Sequence, residues 1–324
     1  MILTTSDPVC IARDPGSLEA EWSELSRRRA DPTVFLTPDW IRVARRYDRR
    51  EQITLHIRER GIAALAREDD GTISFAGGEF TDYQDIVAAP SDARAVGESL
   101  AEWIAAKRSP RVLFEFVPED SGTLEAMSAA LDHAGYDVRI DRLVTAPRMT
   151  LPDSFETYVQ HLGKKERHEL RRKLRGLETG RRVAFRFAGE NERTSVFERF
   201  VALHRRSRGE KAEFMTEEVE RFFRDLADML ASRGWLRLGV VNVDGDDAAV
   251  VFAFAYEGTF ALYNAAYDLA LASLSVGIAC HAYAIRAAID EGMRTYDFLR
   301  GGEPYKYDLG ATDRWLVRLE ATRS

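Results

Sequence analysis

Apolar and polar positions along the chain fall into two series with one plan. In the first, two short helical patterns (Leu18 to Arg29, Pro38 to Tyr47) precede three strand patterns, Ile53–Ile57, Ile62–Ala66 and Thr72–Ala76. Turns are expected at Glu59-Arg60-Gly61 and Asp69-Asp70-Gly71. A helix (Ala93 to Lys107), an alternating strand (Val112 to Val117), a helix (Thr123 to Ala134) and a strand near Tyr136 to Leu143 follow. Helical runs repeat every three to four positions and strands every two, which separates the two types.

The second series repeats the order. Strand Val183–Phe187 leads to helices Thr194–Arg206 and Thr216–Ser232, then to strands Trp235–Val243, Ala248–Tyr256 and Phe260–Tyr263. Asp244-Gly245 and Glu257-Gly258 join those strands, and acidic-Gly pairs between β-rich runs signal hairpins. A polar loop reaches Ser275-Val276-Gly277, and the helix after it carries Ile278, Ala282, Ile285 and Ile289 at helical spacing until Gly292. Strand Thr295–Leu299 runs into a Gly-Gly loop ending in Tyr305-Lys306, and a strand Trp315–Leu319 is expected to complete this half.

Small residues at a helix N-terminus between two strands suit an anion, because the first N–H groups of a helix have no intrahelical acceptor. A cation just past the second strand adds a charge suited to phosphate. The pattern suggests a site for an acyl- or phosphate-bearing cofactor.

At 324 residues the chain is long for one core and predicts about two domains. Its 45% hydrophobic and 31% charged content is that of an ordinary water-soluble protein. Cys10 and Cys280 match no metal spacing, and a reducing, cytoplasmic setting is expected. Asp7 with no apolar core behind it argues against a secretory leader. The longest uncharged run, Leu269 to Ile285, contains polar residues and falls short of the ~20 apolar residues of a membrane span.

Charge is placed unevenly. Between His161 and Val183 nine Lys or Arg face three Glu, a local +6 that leaves −13 on the rest of a chain of net charge −7. The overall sign argues against a DNA binder, while the basic helix suits an anionic ligand. His168, Arg171, Arg172 and Arg175 share one face of that helix, while Leu170, Leu174 and Leu177 form another. The cationic face is either solvated or a wall for an anionic acceptor, reinforced by Arg205 and Arg206. No Gly-x-Ser-x-Gly elbow, Walker loop, HExxH or cysteine cluster is present, and no metal site is expected.

Helix–helix, three-strand meander, helix, strand is the order of the GNAT acyltransferase fold. The second half resembles the acetyltransferase domain of the CelD/BcsL family, itself similar to the Fem peptidyltransferases. The resemblance rests on His168-Glu169-Leu170-Arg171-Arg172-Lys173-Leu174, Leu203-His204-Arg205-Arg206, Tyr267-Asp268, Ser275-Val276-Gly277, and Tyr296-Asp297-Phe298-Leu299-Arg300-Gly301-Gly302 through Tyr305-Lys306. It covers residues 150 to 320 well and the first half thinly, where Asp82-Tyr83-Gln84-Asp85 is similar to an aspartate-tyrosine signature.

The resemblance implies an α/β chain of tandem GNAT-like domains, each a mixed, mostly antiparallel sheet flanked by helices. Residues 1–148 would help to form the acceptor cleft and 149–324 would hold the active site. It implies transfer of an acyl group, acetyl above all, from an acyl-CoA to an amine or hydroxyl of a small-molecule or polysaccharide-pathway acceptor. Ser275, Val276, Gly277, Ile278 and Arg300 would meet the donor; Asp82, Tyr83, Arg171, Arg175 and Arg205 would meet the acceptor. Where the ordinary GNAT loop has two spaced glycines, this chain has Gly277 with Ser273 and Ser275. An aminoacyl-tRNA donor, as in Fem proteins, and a non-catalytic binding module therefore stay open.

The candidate catalytic residues have two readings each. Lys306 contacts a phosphate or developing oxyanion, or closes a turn; on the first reading Lys306→Met slows turnover with little loss of stability. Tyr305 faces the ligand or packs its ring. Asp268 accepts a proton from an incoming ammonium or caps its loop. Asp297, among apolar neighbours, needs partners, with Arg294 and Arg300 nearest in sequence. Splayed strands after Tyr263 and before Arg300 would supply N–H donors to a tetrahedral oxyanion.

Overall fold

The acidic-Gly dipeptides turn the chain where the sequence predicts. The computed structural model, which describes residues 9–57, 60–207, 209 and 213–323, pairs Val243 with Asp246 and Tyr256 with Thr259. Asp244 (φ 54°) and Gly245 (φ 109°), like Glu257 (φ 48°) and Gly258 (φ 84°), occupy the left-handed region that two-residue hairpins require. The turn expected at Glu59 begins outside the described residues.

The chain divides into two units, Met1–Thr145 with Arg314–Ser324, and Ala146–Asp313. In the first, β1 (Val9–Ile11), β2 (Glu51–Ile57), β3 (Gly61–Arg67) and β4 (Ile73–Phe75) run antiparallel in sequence. Helix Ala93–Ala106 follows, then β6 (Arg111–Pro118), which lies parallel to β4. A two-residue strand, β5 (Val87–Ala88), pairs with β3. The last strand of the chain, β14 (Trp315–Arg323), inserts between β6 and β7 (Tyr136–Thr145). The sequence reading expected that strand to complete the second half; hydrophobic period identifies a strand but not its partner.

The second unit has the sheet order β8 (Arg148–Thr150), β13 (Thr295–Asp297), β12 (Thr259–Tyr267), β11 (Asp246–Tyr256), β10 (Leu236–Val243), β9 (Val183–Phe187). Among the described residues, the β12–β13 pair is the one parallel pair of this sheet. Both units thus carry a meander, a helix and a parallel strand in succession.

Alternation assigns the two faces of this sheet. Val251 and Ala253 pack with helix Val276–Asp290 and with Leu170, Leu174 and Leu177 of helix Lys164–Glu178. Between them Phe252 points the other way, its ring 5.8 Å from Phe200 on helix Arg193–Arg205 and 5.1 Å from Phe223 on helix Glu217–Ser232. Each fully buried Phe or Leu contributes about 1.5–3 kcal/mol. Ala279, Ala282, Ala284 and Ala288 are among the buried residues of helix Val276–Asp290, beside Ile285 and Ile289.

Candidate active site

Two features of β12 prepare the second unit for a ligand. Its pairing with β13 covers only Thr259, Phe260 and Ala261, ending at Ala261↔Asp297, while its pairing with β11 continues to Tyr267. From Leu262 to Tyr267 one edge of β12 has no strand partner among the described residues. The register also shifts: Phe252 pairs with Asn264 and Ala253 with Leu262, so Tyr263 is an extra residue. The bulge turns Tyr263 and Asn264 to one face, where Tyr263 meets Phe223 at 5.4 Å and Asn264 meets His204 at 2.7 Å.

The divergence of β13 has a local cause in the motif around Asp297. Leu299 adopts φ 57°, a conformation that costs a non-glycine residue ~1–2 kcal/mol. Its N–H donates to Asp297 Oδ1 at 2.8 Å, and its carbonyl accepts from Lys306 Nζ at 3.1 Å. The same ammonium donates to the carbonyls of Arg300 (2.8 Å) and Gly301 (2.9 Å) and pairs with Glu303 (2.9 Å). Gly301 takes φ 107°, a conformation that L side chains rarely adopt, and a Cβ there would lie 2.6 Å from the Glu303 carboxylate, which would have to shift. Asp297 and Lys306 are each 3% exposed. Together they clamp the turn that carries the chain away from β12.

Of the two readings of Lys306, these contacts are those of the turn-closing one. Its ammonium faces four protein acceptors, so its observed role is to hold a turn. Tyr305 and Lys306, expected at the end of a loop, lie in the short helix Pro304–Asp308. Tyr305 stacks on His281 (4.8 Å, 12°) and meets Phe298 edge-on, and burial, with the Glu303 charge behind it, raises its phenol above the ordinary range. Asp268 accepts from Ala270 N at 2.9 Å through one oxygen and from Arg199 at 3.2 Å through the other, capping the turn Leu269–Leu274.

Ser275 enters the next helix at φ 56° with no side-chain cap, and the first backbone bond of the helix runs from Ala279 to Ser275. The N–H groups of Val276, Gly277 and Ile278 are the helix's free donors. Gly277 has its own reason: a Cβ there would lie 2.9 Å from the Tyr267 ring. The side chain of Val276 is buried in the core, so this residue offers a ligand only its backbone. Arg300 is half-buried, its carbonyl held by Lys306.

The basic helix docks through Leu170, Leu174 and Leu177, as expected. With helix Phe155–His161 and Arg286 it walls a groove lined by Lys164, Lys165, Arg167, His168, Arg171 and Arg175. Glu156 binds Arg171 (2.9 Å), and Arg172 holds the Glu169 carboxyl down to about 2. Arg286 lies over the Phe155 ring at 4.2 Å. Arg205 does not reinforce this wall: its helix packs on the opposite face of the sheet, and it pairs with Glu220 at 2.6 Å. Asp82 and Tyr83 are buried within the first unit, Tyr83 against Phe35 and under Arg314. Cys280 is a buried thiol whose ionisation burial opposes. Sequence reasoning missed the His204–Asn264 pair; a lone polar residue in the apolar run FALYNAAY was its available signal.

Among the described residues no helix is long and apolar enough to cross a membrane, and no group of three or more His, Cys, Asp or Glu is placed to hold a metal. Residues 164–307 match the family model described as an acetyltransferase (GNAT) domain. No curated protein matches the sequence. Among solved structures, FemX superposes with a TM-score of 0.68 at 10% identity, covering 93% of this chain and 95% of FemX. The L-PGS protein of Bacillus licheniformis gives 0.52 at 13% identity over 89% of this chain and 92% of its own. A tandem GNAT protein from the clavulanic acid biosynthesis pathway gives 0.50 at 11% identity over 96% and 97%. At such identities the likeness is one of fold. Residues 164–307 are thus similar to a GNAT-type acetyltransferase domain, and the chain has the fold of tandem GNAT proteins.

Proposed function

We propose that the second unit transfers an acyl group, acetyl first among them, from an acyl-CoA to an amine or hydroxyl of an anionic small-molecule or polysaccharide-pathway acceptor. The observation that carries this reading is the early end of the β12–β13 pairing, which frees a strand edge beside the N-terminus of helix Val276–Asp290. An extended pantetheine-like arm pairs with such an edge as an added strand does, and a pyrophosphate suits the free N–H groups of Val276 to Ile278. The residues fit the donor without a glycine-rich loop, because the anion site is made of backbone.

Roles follow from placement. Asp297 and Lys306 keep the edge open, Tyr305 and His281 wall it, and Asp268 with Arg199 holds the turn that leads to the helix. Arg171, Arg175 and Arg286 attract the anionic acceptor, while Arg300 stands where β13 leaves the sheet. The acceptor nucleophile attacks the thioester carbonyl carbon, the C–S bond breaks, and the departing thiolate takes the proton that the nucleophile loses. No covalent enzyme intermediate is needed.

The basic groove favours one other reading, a Fem-like ligase that uses aminoacyl-tRNA. Native mass spectrometry of the purified protein separates the two. A copurified or added CoA species bound one-to-one supports acyl transfer, and RNA in its place supports the ligase. Neither, with no acetyl transfer to any amine tested, leaves a binding module.

A further inference from the structure

His204 and Asn264 form a pair that the acyl-transfer reading does not use. His204 is 1% exposed at the end of helix Arg193–Arg205, with its ring 4.8 Å from Phe200. Its Nε2 lies 2.7 Å from Asn264 Oδ1. The N–H of Ala265 also donates to Oδ1, at 2.7 Å, and this backbone donor settles which end of the amide is oxygen. Nε2 of His204 therefore carries a proton and donates. With Oδ1 committed to two donors, the Nδ2 end of Asn264 is turned from both. Among the described residues no group accepts from Nδ2, and it is not sealed inside the protein.

We propose that Asn264 is a catalytic residue of the transfer: its Nδ2 amide donates a hydrogen bond to the acyl carbonyl oxygen and strengthens it as that oxygen becomes an oxyanion. The inference rests on the acyl-transfer reading, to which it adds the electrophilic group. Asn264 directly follows the bulged residue of β12, three residues past the last β13 pair, where the strand edge opens. A polarised amide here needs no reorganisation, because His204 and Ala265 already fix its orientation, and the aromatic surroundings weaken competing solvation. Asn264 gains and loses no proton; the nucleophile's proton leaves with the thiolate. His204 is a positioning residue that acts through Oδ1.

Asn264→Asp tests this, because an aspartate keeps the oxygen acceptor for Ala265 and His204 and replaces the donating NH2 by a negatively charged oxygen that cannot donate; Asn264→Leu, which removes the donor without adding charge, is measured beside it. The probe is acetyl-CoA labelled with 13C at the thioester carbonyl. Bound to the wild type, its infrared carbonyl stretch is expected to move to lower frequency, and in Asn264→Asp to return toward the free value. Slow hydrolysis of acetyl-CoA should fall on the order of 10²-fold, the usual loss for one oxyanion donor, with KM within threefold. His204→Gln, which still donates, should retain the shift, and His204→Phe should lose much of it. Equal carbonyl frequencies and hydrolysis within threefold in Asn264→Asp would overturn the proposal and leave the donor reading standing. No binding of acetyl-CoA to the wild type would overturn both.

Discussion

The ammonium of Lys306 lies 3.1 Å from the carbonyl oxygen of Leu299, a residue held at φ 57°. That contact joins a strained turn to the residue the sequence marks most strongly. Leu299 is fixed on both sides, by Asp297 at its N–H and by Lys306 at its carbonyl, so the direction in which β13 leaves the sheet is determined by two buried charges.

Lys306→Met therefore has a different outcome from the one a ligand-facing lysine predicts. It removes a cation shared by three carbonyls and leaves those acceptors short of donors, at a cost of about 2–4 kcal/mol. Thermal and denaturant melts should show that loss. Lys306→Arg should not restore stability, because a planar fork does not fit a pocket built around a compact ammonium. A methionine variant that melts with the wild type and loses only activity would restore the ligand-contacting role.

Gly277→Ala should destabilise the second unit, since its Cβ would sit 2.9 Å from the Tyr267 ring. Overpacking of this kind costs about 1–3 kcal/mol. Combining it with Tyr267→Leu should recover part of the loss, and the non-additivity is read from a double-mutant cycle. Full additivity would show that the glycine serves something other than the ring.

In the first unit Asp48 offers a pH handle. Burial alone would raise its carboxyl, but hydrogen bonds from Arg50 (2.7 Å to each oxygen) and its charge outweigh this and hold it below the usual value of 3.8. A depressed folded-state value contributes stability that is present above 3.8 and lost as pH falls through the folded value. Asp48→Asn should lower Tm at pH 7 and flatten the dependence of Tm on pH below about 4. An unchanged acid limb would show that other carboxylates control it.

Much of the architecture was legible because local chemistry determines it. Asp244-Gly245 and Glu257-Gly258 allow the left-handed turns of their hairpins, and Leu170, Leu174 and Leu177 mark the docking stripe of a charged helix. Pairing partners were not legible: Trp315 to Leu319 reads as a strand in either sheet, and only tertiary contact sends it to β6 and β7. The Asp297–Lys306 motif was visible as a pattern of residue types, yet a buried ammonium bound to carbonyls and one poised for phosphate are written alike. Asn264 was hidden further, because its orientation depends on a bulge and on His204, 60 residues earlier in the chain.

The most direct test of the account is calorimetric titration of acetyl-CoA into the wild type and into Ser275→Asp. An aspartate tolerates the left-handed conformation of Ser275 (φ 56°) and suits a helix N-terminus, so stability should hold or rise. The same carboxylate competes for the free N–H groups of Val276 to Ile278 and repels a pyrophosphate. One-to-one binding to the wild type, weakened at least about tenfold (~1.4 kcal/mol) in the variant with no loss of Tm, is the predicted result. Absence of binding to the wild type, or equal affinity in both proteins, would contradict it.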